Sequence, residues 1–245
     1  SAGTIIMEGL PINALYGWKT NGFFQNYDEI QDAALPTGID RSQLRPGDVR
    51  YVDLNSDGKI DENDRTYLGY AFPRYTYGFT YNVKWKGIDF SIMLQGVLKR
   101  ENPVRGELVQ PFHADYSMTM FDHQLDYWSP QNRDARWPRL GVSGSVSDTN
   151  NWGHTGSDLM LLEGAYMRVK NIQLGYTLPK KWTKKFGCEA LRIYFDTQNP
   201  LTWTKNGFVD PETTSFGNNM SGGADNSVRN YPTLRYFGGG IDLTF

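Results

Sequence analysis

The chain has 245 residues, a net charge of -2 and 14% aromatic side chains, including 15 Tyr and 7 Trp. That length allows one large all-β domain or two ordinary ones, and the near-neutral balance gives no reason to expect a nucleic-acid partner. Mean hydropathy is -0.56. No apolar run approaches the roughly 18 residues of a membrane helix, which leaves membrane strands open because half of each such strand is polar. Cys188 is the only cysteine, so neither an internal disulfide nor a multi-cysteine zinc site is expected. Ser1-Ala2-Gly3-Thr4 carries no signal peptide, and the start of an exported gene product is expected to lie elsewhere.

The first predicted strand includes Ile12, Ala14, Tyr16 and Trp18. A long connection follows from Phe24 to Pro73. Inside it, Asp53 to Asp64 has the spacing of a twelve-residue calcium loop. Asp53, Asn55 and Asp57 take the first, third and fifth places, and Gly58 stands at the sharp turn. Lys59 would offer its carbonyl, Ile60 is the apolar anchor, and Asp61 and Asp64 complete the donor set. Calcium takes about six to eight hard oxygens, and this spacing curls alternate side chains toward one centre. Asp64 replaces the usual bidentate Glu, which predicts weak binding, ~10⁻⁴–10⁻³ M. The competing reading is an Asx-rich turn without metal. Either way the loop is structural.

From Tyr75 to Trp85 every odd position is apolar or aromatic: Tyr75, Tyr77, Phe79, Tyr81, Val83 and Trp85. Thr76, Gly78, Thr80, Asn82 and Lys84 occupy the other face. A strand has a side-chain period of two, so this is one greasy face and one wet face. Lys86-Gly87 predicts a tight turn, after which Ile88, Phe90, Ile92 and Leu94 repeat the pattern.

The next long connection, Lys99 to Ala165, carries Tyr116, Tyr127, Trp128, Trp137 and Trp152. These aromatics are candidates for substrate or partner contact, or for a small core of the loop's own; Trp203, in a later loop region, is read the same way. His113, His123 and His154 are far apart and read as polar loop residues. Neither a zinc-protease His pair nor a nucleophile elbow is present, so no enzyme is expected.

A further strand ends with Ile172, Leu174, Tyr176 and Leu178 on one face, but its apolar positions change phase near Met167 and Val169, which predicts a bulge. The lysines of Pro179 to Lys185 form a short turn with an interfacial Trp182 at the inner membrane face. Leu191, Ile193 and Phe195 mark another strand, followed by a long segment from Asn199 to Pro232. The chain closes on Phe237, Ile241, Leu243 and Phe245 against Gly238, Gly240, Asp242 and Thr244. A strand follows Gly238-Gly239-Gly240 where a phosphate loop would need a helix.

Short and long connections alternate. Outer-membrane barrels have short periplasmic turns and long extracellular loops. With Phe245 at the periplasm, parity puts the three long connections outside. About six antiparallel strands cannot close a barrel, since the smallest have about eight. They are expected to belong to a larger one.

Several ordered segments resemble the SusC/RagA family of TonB-dependent outer-membrane transporters of Bacteroidetes. They are Glu8-Gly9-Leu10-Pro11-Ile12 with Tyr16-Gly17, Gly47 to Asp61, Tyr127-Trp128-Ser129-Pro130, and Tyr166 to Tyr176. Gln198-Asn199 with Leu201-Thr202, Asp210-Pro211-Glu212 and the terminal Phe245 complete the set. Pro200 departs from the family pattern, and the strand there is expected to stop early. The resemblance implies that residues 1–245 are the C-terminal portion of a plugged β-barrel of about 22 strands, with plug, TonB box and earlier strands outside the chain. It implies a SusD-like surface lipoprotein as lid, coupling to TonB, and uptake of oligosaccharides or peptides. Phe245 resembles the assembly signal of such barrels. The alternative is a soluble, calcium-stabilised β-sandwich that binds glycans, burying the aromatic face against a second sheet.

Overall fold

Residues 3–104, 106–112, 119–154, 156–212 and 232–245 are described by the computed structural model of the chain. The strands β1 (Gly3–Ile5), β2 (Ala14–Trp18), β3 (Thr20–Phe23), β4 (Leu35–Pro36), β5 (Val49–Tyr51), β6 (Lys59–Ile60) and β7 (Arg65–Tyr70) are short. β8 (Tyr75–Trp85) and β9 (Ile88–Leu98) are long, and β10 (Glu101–Pro103) and β11 (Leu161–Glu163) are short again. Three long strands follow: β12 (Tyr166–Thr177), β13 (Ala190–Thr204) and β14 (Tyr236–Thr244). The helices are α1 (Tyr27–Asp32), α2 (Val146–Trp152) and α3 (Lys180–Thr183).

The long strands make one unit with a single sheet in the order β14-β13-β12-β9-β8, each pair antiparallel. Its strands run from 9 to 15 residues, at or beyond the roughly 9–11 needed to cross a membrane. Lys86 and Gly87 both have positive φ, 47° and 88°, as a two-residue hairpin turn that matches strand twist requires.

Register carries the greasy face across all five strands. Tyr81, Ile92, Ile172, Thr197 and Phe237 stand side by side, as do Val83, Phe90, Leu174, Phe195 and Gly239. Most of this face is uncovered: every residue of β8 is exposed, with Phe79 at 55% and Trp85 at 63%, and Leu174, Ile193, Phe195 and Ile241 are exposed on the other strands, while Val169 and Thr197 are buried.

The phase change in β12 is a bulge. Pairing passes from Val169 to Asn171, leaving Lys170 out of both ladders. On β13 the pairing passes from Leu201 to Gln198, leaving out Asn199 and Pro200. The early stop expected at Pro200 is therefore corrected, because β13 continues to Thr204. A proline has no N–H to give a ladder, and the bulge asks for none. Trp203, expected in a loop, also lies on β13, opposite Met167.

The wet face holds an ionic bridge. Arg192 on β13 donates Nε and Nη2 to the two oxygens of Asp89 on β9, at 3.0 and 2.6 Å. Its Nη1 donates to Asp242 Oδ2 on β14 at 3.0 Å. The link to Asp89 passes over β12 at Gly175. A Cβ there would lie 2.6 Å from Arg192 Nη2 and from both Asp89 oxygens.

The second unit, residues 3–72 and 101–163 as described, holds the short elements. The strand expected from Ile12 to Trp18 belongs here and not to the long sheet. It is the central strand of β1-β2-β7. Ala14 and Leu15 are both fully buried, so neighbouring side chains on opposite faces are covered. A lipid-facing strand would leave one face uncovered by protein. The long connections are not bare loops either. Phe24, Ile30 and Leu44 form a buried cluster supported by Ala33, Leu35, Ile39 and Val146. Asn26 caps α1 by accepting from Glu29 N at 2.9 Å.

Gly175→Val is expected to push Arg192 off Asp89 and cost about 1–3 kcal/mol, read as a lower urea midpoint for the folded, heat-modifiable band of the full-length protein. An unchanged midpoint would show that the bridge contributes nothing.

Candidate functional site

Chemistry in this chain is carried by ordered loops and by the wet face of the long sheet. In the loop 53–64 each aspartate is turned onto backbone amides. Asp53 accepts from Ser56 N at 2.6 Å and Gly58 N at 2.8 Å. Asn55 accepts from Asp57 N, Asp57 from Lys59 N, and Asp61 from Asn63 N. Gly58 has φ 82°, and Ile60 is buried as the anchor.

Asp64 is fully buried. Its two oxygens accept from Leu54 N and Asp61 N, each at 2.8 Å. The loop is thus an Asx ladder closed by a buried carboxylate. Among the described residues, no three His, Cys, Asp or Glu side chains come together as a group that could hold a metal.

A second buried carboxylate joins the two long connections. Asp48 accepts from Arg45 N at 2.8 Å, Ser147 Oγ at 2.6 Å and Asn151 Nδ2 at 3.2 Å, with Arg139 Nη1 at 3.6 Å. Asn151 Oδ1 accepts from Val49 N, and Asn150 Nδ2 donates to Val49 O. The side chains of α2 therefore complete the backbone bonding of β5, over about a hundred residues of sequence.

The loop tryptophans require a correction. Trp128, Trp137 and Trp152 are buried and cannot offer a face to a ligand. Trp137 Nε1 donates to His123 O at 3.0 Å, and its ring lies 6.5 Å from that of Trp152. Trp128 closes over Gly47, where a Cβ would lie 2.3 Å from the ring. Tyr127 is half-buried, and Tyr116 lies outside the described residues. His123 and His154 are also packed. His154 stands edge-on to Trp18 and Tyr51, and burial lowers the basicity of both imidazoles. His113 lies outside the described residues.

The sheet gathers a cluster that the sequence reading did not assign. Arg168 Nη2 donates to Asp210 Oδ1 at 2.6 Å, Nη1 donates to Glu212, and Nε donates to Thr202 Oγ1 at 2.8 Å. Lys170, the bulge residue, donates to both oxygens of Glu212. Thr233 N donates to Asp210 Oδ2 at 2.8 Å. Both flanks of the segment 213–231 are thereby fixed to the sheet. The signal available in sequence was charge on the wet face of a strand, at Arg168, opposite acids in a connection. Breaking a buried pair of this kind costs about 3–5 kcal/mol.

β10 and β11 place Glu101 directly opposite Glu163. Burial, and then the Glu163 charge, pushes the Glu101 carboxyl up to about 7.

Comparisons with known proteins agree along the whole chain. It is 27% identical over 247 residues to the TonB-dependent receptor P3 of Formosa agariphila, covering 98% of this chain and 23% of that protein. It is 26% identical over 230 residues to the TonB-dependent receptor SusC of Bacteroides thetaiotaomicron, covering 94% of this chain and 20% of that one. The chain therefore spans about a quarter or less of the length of the curated relatives it matches. Among solved structures, the RagAB peptide transporter aligns with a TM-score of 0.66 at 21% identity, covering 100% of this chain and 24% of that one. No family model matches the chain.

Asp64→Ala strips the Leu54 and Asp61 amides of acceptors, at about 1–3 kcal/mol each. Hydrogen exchange over 53–64 is expected to accelerate at least about tenfold, and unchanged exchange would count against the ladder. A raised carboxyl makes the native state bind a proton that the unfolded state releases, so stability is full below 4.5 and falls as pH rises toward about 7. Glu101→Gln is expected to flatten that fall, measured as urea midpoint against pH.

Proposed function

From a chain with the sequence and fold of the SusC/RagA type of TonB-dependent receptor, we propose an outer-membrane importer of nutrients, of which residues 1–245 form C-terminal barrel wall. The observation that carries this reading is the long sheet. One face is apolar and largely uncovered across five strands, and the other is polar and ion-paired. In water such a face would be buried; against lipid it is the stable outer surface of a wall.

Under this proposal the short turns face the periplasm and the two long connections with their own cores face outward. A SusD-like lipoprotein covers that outer side, TonB supplies energy through parts of the protein beyond this chain, and the cargo is an oligosaccharide or a peptide. The name of RagAB, a peptide transporter, supports the peptide class; the oligosaccharide class rests on the family resemblance. Phe245, exposed past the end of β14, serves as the assembly signal. Calcium at 53–64 would be a weak structural ligand that draws Asp53, Asp57 and Asp61 together, with no part in transport.

The test is fractionation and uptake. The full-length protein is expected in the outer membrane as a heat-modifiable band. A strain lacking it is expected to lose uptake of labelled oligosaccharides or of labelled peptides, and wild-type uptake is expected to stop when the proton-motive force is collapsed. A mature, soluble 27.9 kDa monomer would overturn the importer and favour the glycan-binding sandwich.

A further inference from the structure

Basic charge is concentrated at one end of the long sheet. The β8–β9 turn carries Lys86, and the connection after β12 carries Lys180, Lys181, Lys184 and Lys185, all exposed. The two turns are neighbours, because Thr177 N donates to Gly87 O at 2.7 Å. Against these five lysines the same turns hold one carboxylate, Glu189. It lies 3.8 Å from Lys180, with both side chains exposed, so it neutralises little. A chain of net charge -2 has thus placed an uncompensated basic rim here.

The rim begins where the greasy face ends. Trp85 closes the apolar row of β8 and is 63% exposed, and Trp182 on α3 is 54% exposed. Lys86 Nζ lies 4.8 Å from the centre of the Trp85 ring. Indole rings settle at headgroup depth, and lysine stems lie along apolar surface while their ammonium groups reach outward. At that depth the available counter-charge is phosphate.

Resting on the barrel-wall reading above, we infer that this rim is a binding surface for anionic phospholipid headgroups, selecting phosphatidylglycerol over zwitterionic phosphatidylethanolamine. A zwitterion cancels its own phosphate with an amine, so five ammonium groups gain little from it. Phosphatidylglycerol carries no such amine. The continuity of the lysines with the lipid-facing row through Trp85, with Trp182 exposed among them, favours lipid over an acidic periplasmic protein.

The experiment uses the full-length transporter, reconstituted in vesicles of phosphatidylethanolamine with added phosphatidylglycerol, extracted gently, and weighed by native mass spectrometry. The parent is expected to retain phosphatidylglycerol preferentially. The variant Lys180→Gln, Lys181→Gln, Lys184→Gln, Lys185→Gln is expected to retain about tenfold less or lower still, and the matching Lys→Arg variant to retain as much as the parent. Equal retention by parent and Gln variant overturns the inference, as does equal retention of both lipids by the parent. Absence of bound lipid, with a photo-crosslinker at position 184 capturing a periplasmic protein, overturns it in favour of a protein partner. If the Gln variant fails to insert, raising salt on the parent decides: retention that falls supports the rim, and retention that holds overturns it. Heat-modifiability of the parent reports the barrel itself, so its failure is distinguishable from failure of the lipid surface.

Discussion

The rest of the structure depends on a sheet whose backbone must be fully paired inside hydrocarbon. Lipid offers no hydrogen bonds, so each unpaired N–H or C=O there costs several kcal/mol. Within the sheet, β9, β12 and β13 each have a paired neighbour on both sides, while β8 and β14 each have one. Their outer edges need partner strands, which fits a chain that spans about a quarter of its relatives' length. The same constraint dictates where charge lies. Asp89, Arg192 and Asp242 meet on the wet face, and a glycine in the intervening strand lets the bridge form.

The long connections follow the packing rules of a globular domain. They bury leucine, isoleucine and tryptophan, cap their helix, and spend carboxylates on amides. Asp48 and Asp64 are both fully buried, and both are surrounded by donors. A buried carboxylate that accepts several hydrogen bonds stays favourable where a bare one would not. Two segments far apart in sequence, 45–51 and 139–151, become one piece through Asp48 and the two asparagines of α2.

Where a single periodicity governed a segment, the sequence was legible. Alternation from Tyr75 to Trp85 and from Phe237 to Phe245 placed two strands and their greasy side, and the phase change near Val169 located the bulge. Gly58 and Ile60 took their expected places in the loop. Alternation misled at Ile12 to Trp18, because a short core strand and a lipid-facing strand share apolar positions and differ only in what covers them. Pro200 misled for a different reason: a missing N–H is harmless where the partner strand has already looped a residue out. Trp128, Trp137 and Trp152 read as ligand faces or as core with equal ease, since composition does not say which side of a loop meets solvent. The ion pairs of Arg168 and Arg192 join residues 42 to 103 positions apart, and no local pattern encodes such partners.

The facing irregularities of β12 and β13 have a consequence for assembly fidelity. In a uniform ladder, one strand sliding by two residues keeps the greasy side outward and goes undetected. Here Lys170 is left out on one strand at the level where Asn199 and Pro200 are left out on the other. A slipped pairing would bring the proline opposite a ladder position that needs its missing N–H, and would leave the loop-out without its counterpart. The mismatch acts as a proofreading notch, so that only one alignment of these two strands lets the wall zip to its full height.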